Sequence, residues 1–247
     1  MNSFCNRKIL VTGASSGIGK ATAYYLAGLE ATIVAVDINQ EGLNELKTDF
    51  NSKGYPIICI AENLQSDNLE RIFTQAISDG VKLNGLVHCA GINSIISLSS
   101  LTKQRLHCVL EINFYSFVEL VRLYSKKKYS NKGSIVGISS LAAIQPRPYE
   151  LAYITSKAAL NAAIPCLAIE LASKQIRVNG IMPGVVNTGM INTKQTTEQK
   201  DFVDNMSKRA ILGAAQPEDI ASVVAFLLSD NSKIITGRII SADGGIF

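Results

Sequence analysis

The 247-residue chain is long enough for one α/β domain with a large buried core, and its length does not require a second domain. Only 18% of the residues are charged and the mean hydropathy is slightly positive, so we expect an oligomer that hides further surface. The net charge of +4 is spread out, and its densest basic run carries no RNA-binding signature, so nucleic acid is not an expected partner.

The cysteines and the termini exclude further classes. Five cysteines without C-x-x-C spacing predict neither a disulfide framework nor a metal site. Residues 1–8 are polar and lead directly into a strand candidate, which leaves no room for a signal peptide. No apolar stretch reaches about 18 residues, so no membrane span is expected. These features predict a cytoplasmic protein without a metal.

Short β-branched segments alternate with helical patterns along the whole chain. The strand candidates are residues 9–12, 31–37, 56–61, 85–89, 134–139, 176–182 and 239–241. The helix candidates are residues 17–28, 41–53, 67–79, 103–127, 150–173 and 217–229. Apolar strands separated by helices predict right-handed βαβ units and a buried parallel sheet. A polar stretch at 192–200, before a short helix near 200–208, is predicted to be a lid rather than a domain boundary.

A glycine-rich loop follows the first strand and opens the first helix. Its sequence, TGASSGIG at residues 12–19, has the spacing G-x-x-x-G-x-G. Glycines let the backbone turn sharply and approach a pyrophosphate, which sits at the positive end of the helix. At this position the loop predicts a dinucleotide site. The fold class is therefore α/β, a single Rossmann-type doubly wound parallel sheet of about seven strands with helices on both faces, over residues 1–247.

Asp37 ends the second strand, eighteen residues past Gly19. An acidic side chain there accepts hydrogen bonds from the adenosine ribose and repels a 2′-phosphate. The alternative is a turn aspartate that precedes Ile38 and Asn39. Ser16 is not basic and no Arg or Lys directly follows Asp37, so a 2′-phosphate lacks a charged partner. We expect NAD as the cofactor, with NADP possible.

Tyr153 and Lys157 are four residues apart and share one face of a helix. A nearby ammonium stabilises phenolate, so we expect a lowered pKa for Tyr153 and a general acid/base that needs no histidine. Ser140, thirteen residues upstream, could hold a carbonyl oxygen within reach of the phenol. The alternative is a surface pair beside a strand-end serine.

Seven motifs in matching order and spacing resemble the short-chain dehydrogenase/reductase family, of the roughly 250-residue type that includes 3-oxoacyl-(acyl-carrier-protein) reductases. The likeness spans essentially the whole chain. The matching segments are TGASSGIG at 12–19, Cys89-Ala90-Gly91, Asn113, Ile138-Ser139-Ser140, Tyr153-x-x-x-Lys157, PGVVNT at 183–188, and Thr236-Gly237 with Asp243-Gly244-Gly245.

The resemblance implies roles for the catalytic residues. Tyr153 would exchange a proton with the substrate oxygen, and Lys157 would lower its pKa and hold the nicotinamide ribose. Ser140 would position the substrate oxygen, and Asn113 would anchor a water that links Lys157 to solvent. Thr188 would hold the carboxamide. The implied cofactor contacts are Gly13, Ser15, Ser16, Gly17, Ile18, Gly19, Asp37, Ile38, Asn63, Leu64, Cys89, Ala90, Gly91, Tyr153, Lys157, Pro183, Gly184, Val186 and Thr188.

The chain departs from the family pattern at three places. His88 and Cys89 replace paired asparagines that stabilise the central sheet in the family. Asn63 replaces an aspartate that contacts the adenine amino group, and its side-chain oxygen can still accept that bond. Met182 replaces a polar residue before Pro-Gly. None of these changes removes a reacting group.

The predicted function is hydride transfer between a nicotinamide cofactor and a small-molecule ketone or secondary alcohol. One alternative is an NADPH-dependent 3-oxoacyl-(acyl-carrier-protein) reductase, whose acidic carrier protein could meet Lys126, Lys127, Lys128, Lys132 and Lys174. Asp37 argues against it. Another alternative is a non-catalytic dinucleotide-binding regulator, against which the complete catalytic set argues. Arg147, which borders the predicted pocket, either recognises an anionic substrate group or is a solvated loop residue.

The family resemblance also implies assembly. Its members are usually dimers or tetramers, so we expect a homodimer or homotetramer built through the helices near 103–127 and 150–173 and the C-terminal strand. The apolar C-terminus, residues 245–247, fits burial at such a contact.

Overall fold

The computed structural model describes residues 3–189 and 208–246. Seven strands form one sheet in the order β3-β2-β1-β4-β5-β6-β7, and every neighbouring pair is parallel. The strands are β1 (Lys8–Thr12), β2 (Thr32–Asp37), β3 (Ile57–Ala61), β4 (Leu83–His88), β5 (Ser130–Ile138), β6 (Ile176–Pro183) and β7 (Ile239–Ala242). The predicted doubly wound Rossmann-type sheet is confirmed.

Helices cover both faces of the sheet. The helices are α1 (Gly17–Ala27), α2 (Gln40–Ser52), α3 (Glu70–Ala76), α4 (Lys103–Leu110), α5 (Ser116–Tyr124), α6 (Leu151–Leu171) and α7 (Pro217–Leu228). Successive side chains of a strand point to opposite faces. Leu10 accordingly packs into the cluster with α3, α5 and α6, whereas Ile9 and Val11 pack into the cluster with α1, α2 and α7.

The order of the strands fixes where a ligand binds. From β1 the chain first builds outward through β2 and β3, then crosses to β4 on the other side of β1. Helices therefore diverge above the carboxyl ends of β1 and β4 and leave a crevice there. Thr12 and His88 are paired at these two strand ends, so both lie at the floor of the crevice.

The helix predicted over residues 103–127 is interrupted. Between α4 and α5 the residues Glu111–Tyr115 form a π-helical turn, and Asn113 lies inside it. The carbonyl oxygen of Ile112 accepts a hydrogen bond from the Ser116 hydroxyl at 2.7 Å. The inserted residue changes the direction of the side chains on this turn, and π-bulges of this kind often occur at functional sites.

Among the described residues, one helical segment, Leu151–Lys174, is long and apolar enough to cross a membrane by length and composition alone, whereas the sequence reading found no such apolar stretch. Its buried face includes Leu160, Ile164 and Ala168, which belong to the core beneath the sheet. The segment also carries Lys157, which is 4% exposed and bonded to β5. These contacts make the segment a core helix of the sheet domain.

Two further expectations concern the C-terminal part. Ile246 is 5% exposed because it packs against Leu141, Met182 and Ala210 of its own chain, so it does not need a subunit contact for burial. The apolar character of Ile246 therefore does not support a subunit contact, and the expected contact at the C-terminus stays a prediction. The predicted lid at 192–200 and most of the helix near 200–208 lie outside the described residues.

A buried lysine joins β1 to the end of α3. Lys8 is 2% exposed, and its ammonium contacts both carboxylate oxygens of Asp79 at 2.6 and 2.7 Å. It also donates to the carbonyl oxygens of Ala76 and Val81 at 3.0 and 3.2 Å. Among the described residues, Asp79 is the only one whose carboxylate bonds to the Lys8 ammonium. Removal of this carboxylate therefore leaves a buried charge without a counter-ion.

We predict that Asp79→Asn lowers the free energy of unfolding by about 2 kcal/mol, because the remaining carbonyl contacts compensate the Lys8 charge only in part. Asp230→Asn is the matched control: Asp230 pairs with Arg7 but is 75% exposed, so we expect a loss of roughly 0.5 kcal/mol or less. Urea denaturation measures both variants. Equal losses in the free energy of unfolding would contradict the assignment of Asp79 as the counter-ion of the buried Lys8.

Candidate active site

The glycine loop between β1 and α1 has no room for side chains at two of its glycines. A Cβ on Gly13, whose φ is +65°, would lie 2.9 Å from the backbone nitrogen of Ala90, and one on Gly19 would lie 2.0 Å from the carbonyl oxygen of Gly13. The backbone nitrogen of Ala90 also donates to the Thr12 hydroxyl at 3.2 Å. The loop is therefore held tightly between β1 and the segment after β4.

The N-terminus of α1 faces this crevice. Ser16 occupies the N-cap position without a side-chain cap, and the first turn carries no acidic residue. Unpaired N–H groups and the helix dipole favour an anion there. Gly17 has a φ of +49°, and a Cβ on it would lie 3.4 Å from the Thr188 methyl group. The glycine loop and the N-terminus of α1 together fit the pyrophosphate of a dinucleotide. Thr188 lies beside them.

Asp37 ends β2 and braces the glycine loop. Its carboxylate accepts hydrogen bonds from the backbone nitrogens of Ser15 and Asn39, both at 3.0 Å. A carboxylate has further lone pairs, so Asp37 can still accept hydrogen bonds from ribose hydroxyls. The turn contact at Asn39 is the alternative raised for this residue, and the structure shows that Asp37 makes it. Ile38, next to it, is 69% exposed.

Asn63 and Leu64 follow β3 at the same edge of the sheet. The side-chain oxygen of Asn63 accepts a hydrogen bond from the backbone nitrogen of Gln65 at 3.0 Å. The oxygen keeps one lone pair for a further donor, and the predicted bond from the adenine amino group requires this lone pair. The side chain of Leu64 is buried in the core, as is that of Val186, so these two residues offer a ligand mainly their backbone.

Asn113 is fully buried, and its side-chain amide makes three hydrogen bonds. Its Oδ1 accepts from the backbone nitrogen of Ile92 at 2.8 Å. Its Nδ2 donates to the carbonyl oxygen of Ile92 at 3.0 Å and to the Ser156 hydroxyl at 2.9 Å. Ser156 in turn donates to the carbonyl oxygen of Tyr153 at 2.7 Å. The π-helical turn, the loop after β4 and α6 are thus joined at one side chain.

Lys157 projects from α6 toward the carboxyl end of β5. Its ammonium donates to the carbonyl oxygen of Ile138 at 2.8 Å and lies 5.8 Å from the centre of the Tyr153 ring. A Cβ on Gly91 would lie 3.4 Å from the Lys157 ammonium and 3.3 Å from Asn113 Oδ1, so all three residues converge. Burial lowers the pKa of Lys157 to about 8, because the charged form loses its hydration.

Tyr153 and Ser140 lie together beside this lysine. Burial raises the pKa of Tyr153 above its usual value, and a hydrogen bond from the Ser140 side chain opposes the rise. The sequence predicted a lowered pKa through Lys157. That expectation is wrong for this arrangement, because desolvation of the phenolate is the largest effect on the pKa and Lys157, although close to the ring, does not offset it. Ser140 also accepts a hydrogen bond from the backbone nitrogen of Ala142 at 3.2 Å.

His88 and Cys89 lie at the end of β4, where the family has asparagines. His88 is fully buried, and its Nδ1 lies 3.1 Å from the Thr12 hydroxyl. Burial and then the Lys157 charge lower the pKa of His88 to about 3, so the ring is neutral near pH 7. Burial raises the pKa of the Cys89 thiol to about 12. Neither side chain therefore brings a charge next to Lys157, and the bond from His88 to Thr12 ties β4 to β1.

The sequence reading missed Ser156 and Glu150, and it left two roles open for Arg147. Ser156 lies between Asn113 and the Tyr153 backbone, and only the helical spacing to Tyr153 could have indicated it. Arg147 and Glu150 form an ion pair with 3.2 Å between Nε and Oε2. Their i, i+3 spacing was visible in the sequence. Arg147 therefore has an ion-pair partner in its own loop and is only partly exposed, and recognition of an anionic substrate group stays a prediction.

Known proteins resemble this chain along nearly its whole length. Residues 13–246 match a family model described as enoyl-(acyl carrier protein) reductase. An L-xylulose reductase of Caenorhabditis elegans is 35% identical over 246 residues, which cover 98% of this chain and 96% of that protein. A 3-oxoacyl-(acyl-carrier-protein) reductase of Thermotoga maritima is 32% identical over 241 residues, 96% of each chain.

Solved structures show the same fold. A 7α-hydroxysteroid dehydrogenase in complex with NADH and a 7-oxo bile acid superposes with a TM-score of 0.92 at 28% identity, over 98% of this chain and 95% of that one. A 4-hydroxyisoleucine dehydrogenase in complex with NADH gives 0.86 at 29% identity, over 97% and 98%. Relatives that act on CH–OH groups and NADH-bound neighbours support a nicotinamide cofactor. The chain belongs to the short-chain dehydrogenase/reductase family and is an oxidoreductase.

Proposed function

We propose that this protein transfers a hydride between NAD and a ketone or secondary alcohol, with Tyr153 as the general acid/base. The observation that carries the proposal is the convergence of Lys157, Asn113 and Gly91 beside Tyr153, at the crevice that the glycine loop opens. Such chemistry needs two things at one place. Four polar side chains must act on the substrate, here Asn113, Ser140, Tyr153 and Lys157, and an anion site must hold the dinucleotide. The glycine loop provides the anion site at the crevice where the strand order of the doubly wound sheet reverses.

A division of labour among the side chains follows from their contacts. The Tyr153 phenol would donate its proton to the carbonyl oxygen during reduction, or accept the alcohol proton during oxidation. Ser140, which is bonded to Tyr153, would hold the same oxygen. Lys157, whose pKa of about 8 lies near the working range, would hold ribose hydroxyls and exchange protons through a water anchored near Asn113. The nicotinamide, when bound, supplies or accepts the hydride.

The preference for NAD over NADP is supported by Asp37. A 2′-phosphate near its carboxylate would meet a negative charge, and the neighbouring loop residues Ser15, Ser16 and Ile38 carry no positive charge. The cofactor contacts that the family resemblance implies follow β1, β2, β3, β4 and β6, apart from Tyr153 and Lys157 on α6, and we propose them as the residues that hold the dinucleotide.

We predict that Tyr153→Phe lowers kcat/KM for a good substrate by about 100-fold or more, because the ring still packs but the proton donor is lost. A panel of ketones and alcohols, followed at the nicotinamide absorbance, first identifies that substrate. Tyr55→Phe, in a ring cluster with Phe50 away from the crevice, is the matched control and should retain the activity. Undiminished turnover by Tyr153→Phe would contradict the proposed mechanism.

We predict that Asp37→Asn lowers the ratio of NADPH to NADH dissociation constants by about tenfold, since the charge that repels the 2′-phosphate is removed. Titration of cofactor fluorescence measures both constants without a substrate. Glu41→Gln, in the first turn of α2, is the control that should leave the ratio unchanged. A wild-type protein that binds NADPH more tightly than NADH would contradict the preference.

A second candidate function is an NADPH-dependent 3-oxoacyl-(acyl-carrier-protein) reductase. It is favoured by the relative of that name from Thermotoga maritima and by the exposed Lys127, Lys128 and Lys132. Lys126 contributes less, because it pairs with Glu70 at 2.9 Å, and Lys174 donates to the carbonyl of Ser125. Turnover of an acyl-carrier substrate with NADPH, faster than that of any small ketone with NADH, would establish this candidate instead.

We also propose a homodimer or homotetramer. Apolar side chains remain exposed on α6, where Ile169 is 79% and Leu151 46% exposed, and Phe226 on α7 is 41% exposed. The two helices lie on opposite faces of the sheet, so one further copy on α6 and another on α7 would bury these side chains. A small-molecule substrate and a cytoplasmic location remain predictions from the sequence.

A further inference from the structure

Two loops meet at the mouth of the candidate site. One follows β4 and includes Asn93 and Ile96, and the other precedes α6 and includes Arg147, Tyr149 and Glu150. The backbone nitrogen of Ile96 donates to the carbonyl oxygen of Tyr149 at 2.7 Å. Tyr149 has a φ of +68°, an uncommon conformation for a residue with a side chain. Such a conformation persists where the surroundings determine it, which indicates that the contact between the loops is specific.

Glu150 is the side chain that joins the two loops. It is 8% exposed, and its Oε1 faces the Asn93 amide nitrogen at 3.5 Å. Its Oε2 lies 3.2 Å from the Arg147 Nε and accepts no hydrogen bond of good geometry from the described residues. A buried carboxylate is costly unless a cation compensates it, so the Arg147 guanidinium is required for the stability of this charge.

The same cluster adjoins the catalytic residues on both sides. Ile92, next to Asn93, is held by both polar atoms of the Asn113 side chain. Glu150 is three residues before Tyr153, and its carbonyl oxygen accepts the first-turn bond of α6 from Ile154 at 2.9 Å. Displacement of Glu150 would therefore move the start of the helix that carries Tyr153.

We propose that Asn93, Arg147 and Glu150 form a positioning cluster for Tyr153, which fastens the loop before α6 to the loop after β4 and keeps the Glu150 charge neutralised beside the phenol. This inference rests on the proposed role of Tyr153 as acid/base. It assigns Arg147 to Glu150 rather than to the substrate.

The two charges of the pair act on Tyr153 in opposite directions. Arg147 lowers the pKa of the phenol and Glu150 raises it, while burial remains the largest effect and Ser140 contributes a hydrogen bond. On α6, Lys157 stands 5.8 Å from the ring centre, and from β4 the neutral His88 and Cys89 face Lys157. With both partners present, the effect of Arg147 on the Tyr153 pKa opposes that of Glu150. Loss of one partner removes its effect on the phenol and leaves the opposite effect of the other.

The test compares wild type, Arg147→Gln, Glu150→Gln and the double variant. The pKa of Tyr153 is read from the near-ultraviolet titration of each protein after subtraction of its Tyr153→Phe counterpart. We expect Arg147→Gln to raise this pKa by about half a unit or more, because an unpaired carboxylate favours the neutral phenol. We expect Glu150→Gln to lower it by a similar amount, because the negative charge that disfavours phenolate is removed. The double variant should return close to wild type.

Two further variants separate charge from folding. Arg147→Lys keeps the charge and should stay close to the wild-type pKa, whereas Lys53→Gln breaks an exposed ion pair with Asp49 on α2 and should change nothing at Tyr153. Shifts in the same direction for Arg147→Gln and Glu150→Gln, or no shift in either, would overturn the inference.

The titration needs no substrate, so the inference and the proposed function can fail separately. Turnover that survives Tyr153→Phe would refute the role of the tyrosine while the titration stays readable. Absent or parallel shifts would refute the cluster while the loss of activity in Tyr153→Phe still stands.

Discussion

The burial of the Lys157 ammonium is the constraint on which the candidate site depends. A cation that is 4% exposed is stable only where oxygen atoms face it, and here the carbonyl of Ile138 at the end of β5 does so. The requirement fixes α6 against the carboxyl end of the sheet. It also accounts for the neutral neighbours, since a charged His88 would repel the lysine. Tyr153, one turn earlier on the same helix, is placed by the same constraint.

The π-helical turn supplies the second half of this arrangement. A regular helix over residues 103–127 would present Asn113 in a different direction, and the turn over Glu111–Tyr115 instead lets its amide reach Ile92 and Ser156. Through these bonds the loop after β4 and the helix α6 are held together next to Lys157. Arg147 and Glu150 extend the same network to the mouth of the crevice. Local irregularity therefore gives the site its rigidity.

Much of this could be predicted from the sequence, because strand periodicity and the glycine loop are local signals. The parallel sheet followed from them, the resemblance in seven motifs indicated the family, and both are confirmed. The π-helical turn was not predictable, since its cause is a set of contacts between Asn113, Ile92 and Ser156 that are distant in sequence. The pKa of Tyr153 was predicted in the wrong direction, because spacing to Lys157 gives the charge but not the burial. Residues 190–207, where the lid was predicted, are not described.

The most direct test of this account is the pKa of the Lys157 ammonium in the cofactor-free protein. Nitrogen NMR of lysine Nζ atoms, assigned by comparison with Lys157→Arg, measures it. A buried ammonium held by the Ile138 carbonyl should titrate near pH 8, well below the ordinary value of 10.5. A pKa close to 10.5 would show that the ammonium is hydrated, and would contradict the buried lysine on which the arrangement of Tyr153, Asn113 and Ser140 depends.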